Sequence, residues 1–213
     1  MMSLVGSGNI AVESLSMSSF YIWFPLVITL VIAFAVTIFE GILRRGTTSK
    51  SARESADDKG TTGFIAVAFV ISWIAILLSI PLNRFGIAII SPHLVLNVVG
   101  LVLMVIGICI RTFSAQTLGR YYSRTLVTET EQHLVTHGIY GVIRHPGYLG
   151  TITLFTGAAI AVSNFVTVLL IVLAILPVYI HRISMEEKML RKVFGDEFAQ
   201  YTSHTKKLIP FIY

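Results

Sequence analysis

From Leu149 to Ile180 the chain runs for 32 residues without a charged side chain, an apolar block broken only at Ser163-Asn164. No water-soluble core of ordinary size absorbs such a block together with the other apolar runs, at 20–43, 64–80 and 94–113. Charged residues make up 13% of the 213 positions and hydrophobic ones 54%, whereas soluble domains carry about 25% charged residues. The chain therefore reads as an all-α, polytopic integral membrane protein, a single membrane domain over residues 1–213. A helix rising 1.5 Å per residue needs roughly 20 residues to cross about 30 Å of hydrocarbon. On that measure about five spans are expected, near 20–43, 64–80, 94–113, 149–163 and 165–180. The last two are short and form a helical hairpin turning at Asn164, near the far interface.

Local signals sharpen the boundaries. Residues 1–19 contain no Lys or Arg, so they lack the basic n-region of a signal peptide and read as an uncleaved tail. Pro81 is expected to stop the second span, since proline has no N–H to continue a helix. Gly100 and Gly107 in the third span allow close helix approach. The single cysteine, Cys109, forms no intrachain disulfide and reads as a small core residue. After residue 180 the tail is amphipathic, with Met185, Met189, Leu190, Val193 and Phe194 at helical spacing. Gly195 is expected to end that helix, with one more short helix at 196–201.

The net charge of +5 raises the question of nucleic acid, and its distribution answers it. Of the 16 Lys and Arg residues, all but Arg84 fall in the segments 44–59, 111–144 and 182–207. With five spans these segments share one side, which the positive-inside rule makes cytosolic, leaving the N-terminus outside or lumenal. The charge is topogenic, and no nucleic-acid partner is expected. Whether the membrane is the plasma membrane or the endoplasmic reticulum depends on the organism.

Three groups of residues could carry chemistry. In Arg144-His145-Pro146-Gly147-Tyr148, proline suits the first position of a helix entering the bilayer. The N–H groups of Gly147, Tyr148 and Leu149 could then receive an anion beside His145. The simpler reading of the same residues is an interfacial helix start with a tyrosine anchor and a snorkelling arginine. Arg182 and Glu186 are four apart and share a helix face, as an ion pair or as a guanidinium and carboxylate for ligands. His133, His137 and His145 are separated by Gly138 and Gly141, with no H-E-x-x-H motif or cysteine cluster. They do not point to a metal, and no G-x-S-x-G supports a serine nucleophile. The absence of G-x-G-x-x-G and of a phosphate-binding G-x-x-x-x-G-K-[ST] loop argues against a soluble nucleotide-binding domain.

Taken in order, Leu134-Val-Thr-His-Gly-Ile-Tyr140, Arg144-His-Pro-Gly-Tyr148, an apolar hairpin, Glu186-Glu187, Phe194-Gly-Asp-Glu-Phe-Ala-Gln-Tyr201 and Leu208-Ile-Pro210 resemble the isoprenylcysteine carboxyl methyltransferase family. The resemblance covers roughly residues 111–213 and extends to phospholipid N-methyltransferases and, more distantly, membrane sterol reductases. It implies S-adenosylmethionine as cofactor, held in a site built from 111–148 and 181–213. Family cofactor contacts map onto Gln132, His133, Leu134, Val135, Tyr140, His145, Pro146, Gly147, Tyr148 and Glu186. The substrate-binding arginine maps onto Arg182. Gly147 departs from the serine of the common R-H-P-S-Y pattern, and Gln132-His133 is not the usual dipeptide.

That implication agrees with elementary chemistry. Methyl transfer from a sulfonium needs an oriented nucleophile about 3 Å away. A prenylcysteine α-carboxylate is ionised at neutral pH and needs no general base, only orientation by Arg182. An amine acceptor, as in phospholipid N-methylation, must lose a proton and gains nothing from a guanidinium. The prenyl tail, at about 0.8 kcal/mol per buried CH₂, stays in lipid, so a lateral opening for the acceptor and a cytosolic one for the cofactor are expected, the latter covered by the helices of 185–201. A membrane reductase or a non-enzymatic membrane subunit are the remaining alternatives.

Overall fold

The computed structural model describes residues 27–32, 34–35, 61–91, 93–119 and 133–209. Four helices and one 3₁₀ turn account for most of them: α1 (Thr61–Arg84), α2 (His93–Leu118), the turn Gly138–Gly141, α3 (Pro146–Ala161) and α4 (Phe165–His204). No strand occurs among the described residues beyond two isolated bridges. Helices α1, α2 and α4 are long and apolar enough to cross a membrane. Helix α3 has 16 residues, about 24 Å, and falls short of the hydrocarbon thickness by itself. Most of the expected first span lies outside the described residues; within it, 27–32 are helical, and Leu30 and Ile32 pack on the core.

Two boundary expectations and one expectation of burial are corrected. Helix α1 does not stop before Pro81 but continues to Arg84. Its last turn is held from outside, because Asn83 Nδ2 donates to the Val162 carbonyl at 2.9 Å. A neighbouring segment can thus stabilise a turn that proline weakens. Helix α4 runs past Ile180 without a break, so the last span and the amphipathic tail are one helix up to Gly195. There the backbone leaves helical geometry (φ 49°, ψ −117°), where the sequence places the break. Cys109 is exposed on α2 rather than in the core.

Lipid tails are as apolar as leucine, so these helices associate through close packing. Helices α2 and α3 meet at glycines seven residues apart on each: Gly100 against Gly157, and Gly107 against Gly150. A Cβ on Gly100 would fall 2.3 Å from the Ala161 nitrogen, and one on Gly107 would fall 2.6 Å from the Leu154 nitrogen. Backbones this close leave no room for any side chain. Helix α1 pairs antiparallel with α4, marked by Thr167 Oγ1 donating to the Ala75 carbonyl at 3.2 Å. Ala75, Ile76, Met104, Leu154, Ile171 and Ile175 fill the shared core.

The end opposite the polar segments is closed by amides. Asn164 caps α4, accepting from the Val166 and Thr167 N–H groups. Its Nδ2 donates to Asn83 Oδ1 (2.8 Å) and to the Ile87 carbonyl (2.9 Å). Ser163, at φ 51°, donates to Asn97 Oδ1 at 2.9 Å. The expected turn of the hairpin at Asn164 therefore meets the connection between α1 and α2 at one end of the bundle. The start of α1, residues 133–146 and the polar half of α4 meet at the other.

Candidate active site

Proline at N1 starts α3 with His145 as its N-cap, as the sequence suggests. Of the three N–H groups expected to be available there, two are spent. Those of Tyr148 and Leu149 both donate to the His145 carbonyl, at 3.1 Å each. The first turn is tightened on its cap residue, and the expected anion site of three free donors is corrected accordingly. Gly147 packs closely on α2: a Cβ there would lie 3.1 Å from Ser114 Oγ, a contact that a small shift of that side chain relieves.

Helix α4 brings Arg182 and Glu186 against that turn. The Tyr148 hydroxyl sits between them, accepting from Arg182 Nε at 3.3 Å and donating to Glu186 Oε2 at 2.6 Å. Arg182 is only 2% exposed, and its Nη1 also donates to the hydroxyl of Thr61 at the start of α1. One arginine thus ties together the first residue of α1, the first turn of α3 and the polar half of α4. The Tyr148 ring stacks on His145 (centroids 5.6 Å apart, 9° between planes) and tilts against Tyr179 at 5.1 Å.

A second, cation-rich cluster lies beside this one. Glu187 Oε1 accepts from Arg144 Nε at 2.8 Å and lies 3.4 Å from His145 Nε2; its Oε2 is 3.5 Å from Lys207 Nζ. His145 Nδ1 lies 3.8 Å from Glu186 Oε2, so the imidazole stands between the two carboxylates. Glu187 is seven residues beyond the apolar stretch that ends at Ile180. Burial disfavours its charged form, but hydrogen bonds from His145 and Arg144 and the Arg144 charge outweigh burial and hold the carboxyl at about 2.

The chain end closes the cluster. Arg144 N–H donates to the Lys206 carbonyl (2.8 Å), His145 N–H to the Lys207 carbonyl (3.0 Å), and Lys206 N–H to the Val142 carbonyl (3.3 Å). This forms a short parallel bridge between Ile143 and Lys206, reinforced by Arg144 donating to the Thr205 carbonyl. Tyr201 donates to the Tyr140 carbonyl at 2.7 Å, and the Tyr140 and Ser114 hydroxyls share a hydrogen bond of 2.6 Å.

Of the residues singled out from sequence, Tyr140, His145, Pro146, Gly147, Tyr148, Arg182 and Glu186 gather in this region. Tyr140 is buried and engaged through both its hydroxyl and its carbonyl. His133 is exposed, and Leu134 and Val135 are half-buried, in the extended chain leading to the 3₁₀ turn. Gln132 lies outside the described residues. Sequence reasoning missed Arg111, whose Nη1 donates to the Gly147 carbonyl at 3.2 Å and to the Thr151 hydroxyl. It also missed Thr61, Tyr179 and the hub role of Glu187. An arginine closing an otherwise apolar span and a second glutamate beside Glu186 were the available signals.

A buried guanidinium, paired carboxylates and stacked aromatic rings thus meet at the polar end of the apolar helices, and the fold is that of a polytopic helical membrane protein. Residues 95–197 match the sequence model of the phospholipid methyltransferase family. A rice (Oryza sativa subsp. indica) protein described as "Probable protein-S-isoprenylcysteine O-methyltransferase" is 34% identical over 116 residues, 54% of this chain and 61% of that protein. The protein-S-isoprenylcysteine O-methyltransferases of Saccharomyces cerevisiae and Homo sapiens are 31% and 30% identical, over 54% and 55% of this chain and 49% and 42% of theirs. The structure of a eukaryotic intramembrane Ras methyltransferase, isoprenylcysteine carboxyl methyltransferase, superposes with a TM-score of 0.60 at 29% identity, over 70% of this chain and 52% of that one. The chain is thus related to the isoprenylcysteine carboxyl methyltransferases in sequence and fold, and spans 42% to 61% of the length of the relatives named.

Proposed function

We propose that this protein is an S-adenosylmethionine-dependent carboxyl methyltransferase acting on the α-carboxylate of a C-terminal prenylcysteine, or a similar lipid-linked carboxylate, at the cytosolic membrane surface. One observation carries the reading: the Tyr148 hydroxyl joins the buried Arg182 guanidinium to the Glu186 carboxylate. An anion binder and a cation binder thus stand side by side at the polar end of the bundle. Relatives that carry the activity in their names support it.

The donor set fits the proposed cofactor. Glu186 suits an ammonium or ribose hydroxyls, and the rings of His145, Tyr148 and Tyr179 offer π faces to an adenine or a positively charged sulfonium. S-adenosylmethionine, when bound, supplies a methyl group activated by its sulfonium. Gln132, His133, Leu134, Val135, Tyr140, Pro146 and Gly147 complete the proposed cradle, with 111–148 and 181–213 as its two halves. Arg182 orients the acceptor carboxylate, which is already ionised and needs no base. Tyr148 holds Arg182 and Glu186 in register, and Arg111 fixes the turn that carries Tyr148. Burial of Arg182 strengthens its pull on a carboxylate, because the surroundings screen charge weakly. The proposed orientation places residues 111–144 and 182–207 in the cytosol and the N-terminus outside, with the lipid tail of the acceptor remaining in the membrane.

The test is methyl transfer by detergent-purified protein from labelled S-adenosylmethionine to a prenylcysteine analogue or to phosphatidylethanolamine. The description of the family matched by residues 95–197 makes the lipid amine the second acceptor to examine. Base-labile methyl ester on the prenylcysteine, lost in Arg182→Ala while the variant still folds, is expected. Label on the lipid amine alone would overturn the carboxylate reading.

A further inference from the structure

Helix α4 leaves the membrane as a continuous helix with two different faces. One carries Arg182, Glu186 and Glu187 into the site. The other presents Lys188, Arg191 and Lys192, all exposed, within a little more than one turn. Among the described residues no acidic side chain pairs with these three cations. Glu187, four residues before Arg191, is taken by Arg144 and Lys207, and Asp196 and Glu197 follow the break at Gly195.

The position of these cations along the helix matters more than their number. The 16 apolar residues from Phe165 to Ile180 cover about 24 Å, so roughly 30 Å of hydrocarbon reaches about four residues further, close to Ser184. Lys188 then stands one turn outside the hydrocarbon, within a headgroup layer of about 5–8 Å. Arg191 and Lys192 follow within the next turn, and their long side chains reach back toward the same layer. Next to Lys188 and Lys192 on the helix surface runs an apolar ridge at i, i+4, i+8: Met185 and Met189, both half-buried, and Val193, 44% exposed. A cationic stripe flanked by a partly exposed apolar ridge matches the boundary between phosphate headgroups and acyl chains, whereas a soluble polyanion would have no use for the ridge.

We infer that Lys188, Arg191 and Lys192 form a docking surface for anionic phospholipid headgroups of the leaflet at the site end of the bundle. Docking there fixes the face of α4 that carries Arg182 and Glu186, and it does so whatever methyl acceptor the site takes. Each cation near an anionic surface contributes about fivefold in affinity, so three together give about a hundredfold.

The experiment titrates the full-length protein in mild detergent with short-chain phosphatidylglycerol, with phosphatidylcholine of the same chain length, and with inorganic phosphate, following retained lipid by native mass spectrometry. Phosphatidylglycerol is expected to bind about a hundredfold tighter than phosphatidylcholine. K188Q/R191Q/K192Q should lose most of that preference, and the charge-retaining K188R/R191K/K192R should keep it. Equal binding of the two lipids, an undiminished preference in the glutamine variant, loss of it in the charge-retaining variant, or competition by inorganic phosphate as effective as phosphatidylglycerol would each overturn the assignment.

Discussion

At the scale of single residues the site depends on hydroxyls that sit between charges. Tyr148 is the clearest case, because its oxygen is shared by Arg182 and Glu186. A hydrogen bond to a charged group contributes about 1.5–3 kcal/mol. Tyr148→Phe keeps the ring stacked on His145 and removes only the oxygen. We expect kcat/KM for the prenylcysteine analogue to fall about 10- to 100-fold with little change in melting temperature; an unchanged kcat/KM would show that the bridge is dispensable. Glu187 makes a pH prediction. Its carboxyl, held at about 2 against an ordinary value of 4.5, is a depressed acid, so its stabilising effect is complete above about 4.5 and disappears as pH falls toward 2. Melting temperature followed in detergent across that window should drop in the wild type. In Glu187→Gln it should begin lower and decline less, and parallel curves for the two proteins would sink the assignment.

At the scale of elements, the sequence was informative where the backbone itself sets the rule. Pro146 starts α3, Asn164 caps α4 and Gly195 breaks it, each because its own conformational preference needs no distant partner. Pro81 misled for the complementary reason: the last turn of α1 survives through Asn83 and the Val162 carbonyl, 79 residues away. The continuity of α4 through His181 was equally invisible, since a change from apolar to amphipathic pattern alters what a helix faces and not whether it continues. The α2–α3 contact is the element-scale feature most open to test. Gly107→Ala places a methyl group 2.6 Å from backbone, where nothing flexible can yield. Overpacking of this kind costs typically 1–3 kcal/mol, so thermal unfolding in detergent should shift clearly downward. Ala at the exposed Cys109, two residues along the same helix, should leave it unchanged; equal shifts at both positions would refute the close-packed seam.

For the whole molecule, the proposed orientation makes a prediction about sides. An impermeant amine reagent added to right-side-out vesicles should leave Lys188, Lys206 and Lys207 unlabelled and label all three after permeabilisation. Labelling of intact vesicles would reverse the topology and with it the cytosolic reading of the site. Membrane character, the helical class and the hairpin turn were determined by the sequence alone, because hydrophobic length and proline and asparagine preferences act locally along the chain, and the proposed site region was read from the order of its motifs. Which residues of that region meet was decided only by the tertiary structure. Thr61, Arg111, Tyr148 and Arg182 are brought together by the antiparallel pairings of α1 with α4 and α2 with α3. Those pairings depend on backbone approach at glycines and on hydrogen bonds between residues as many as 121 positions apart, and no spacing along the chain encodes them.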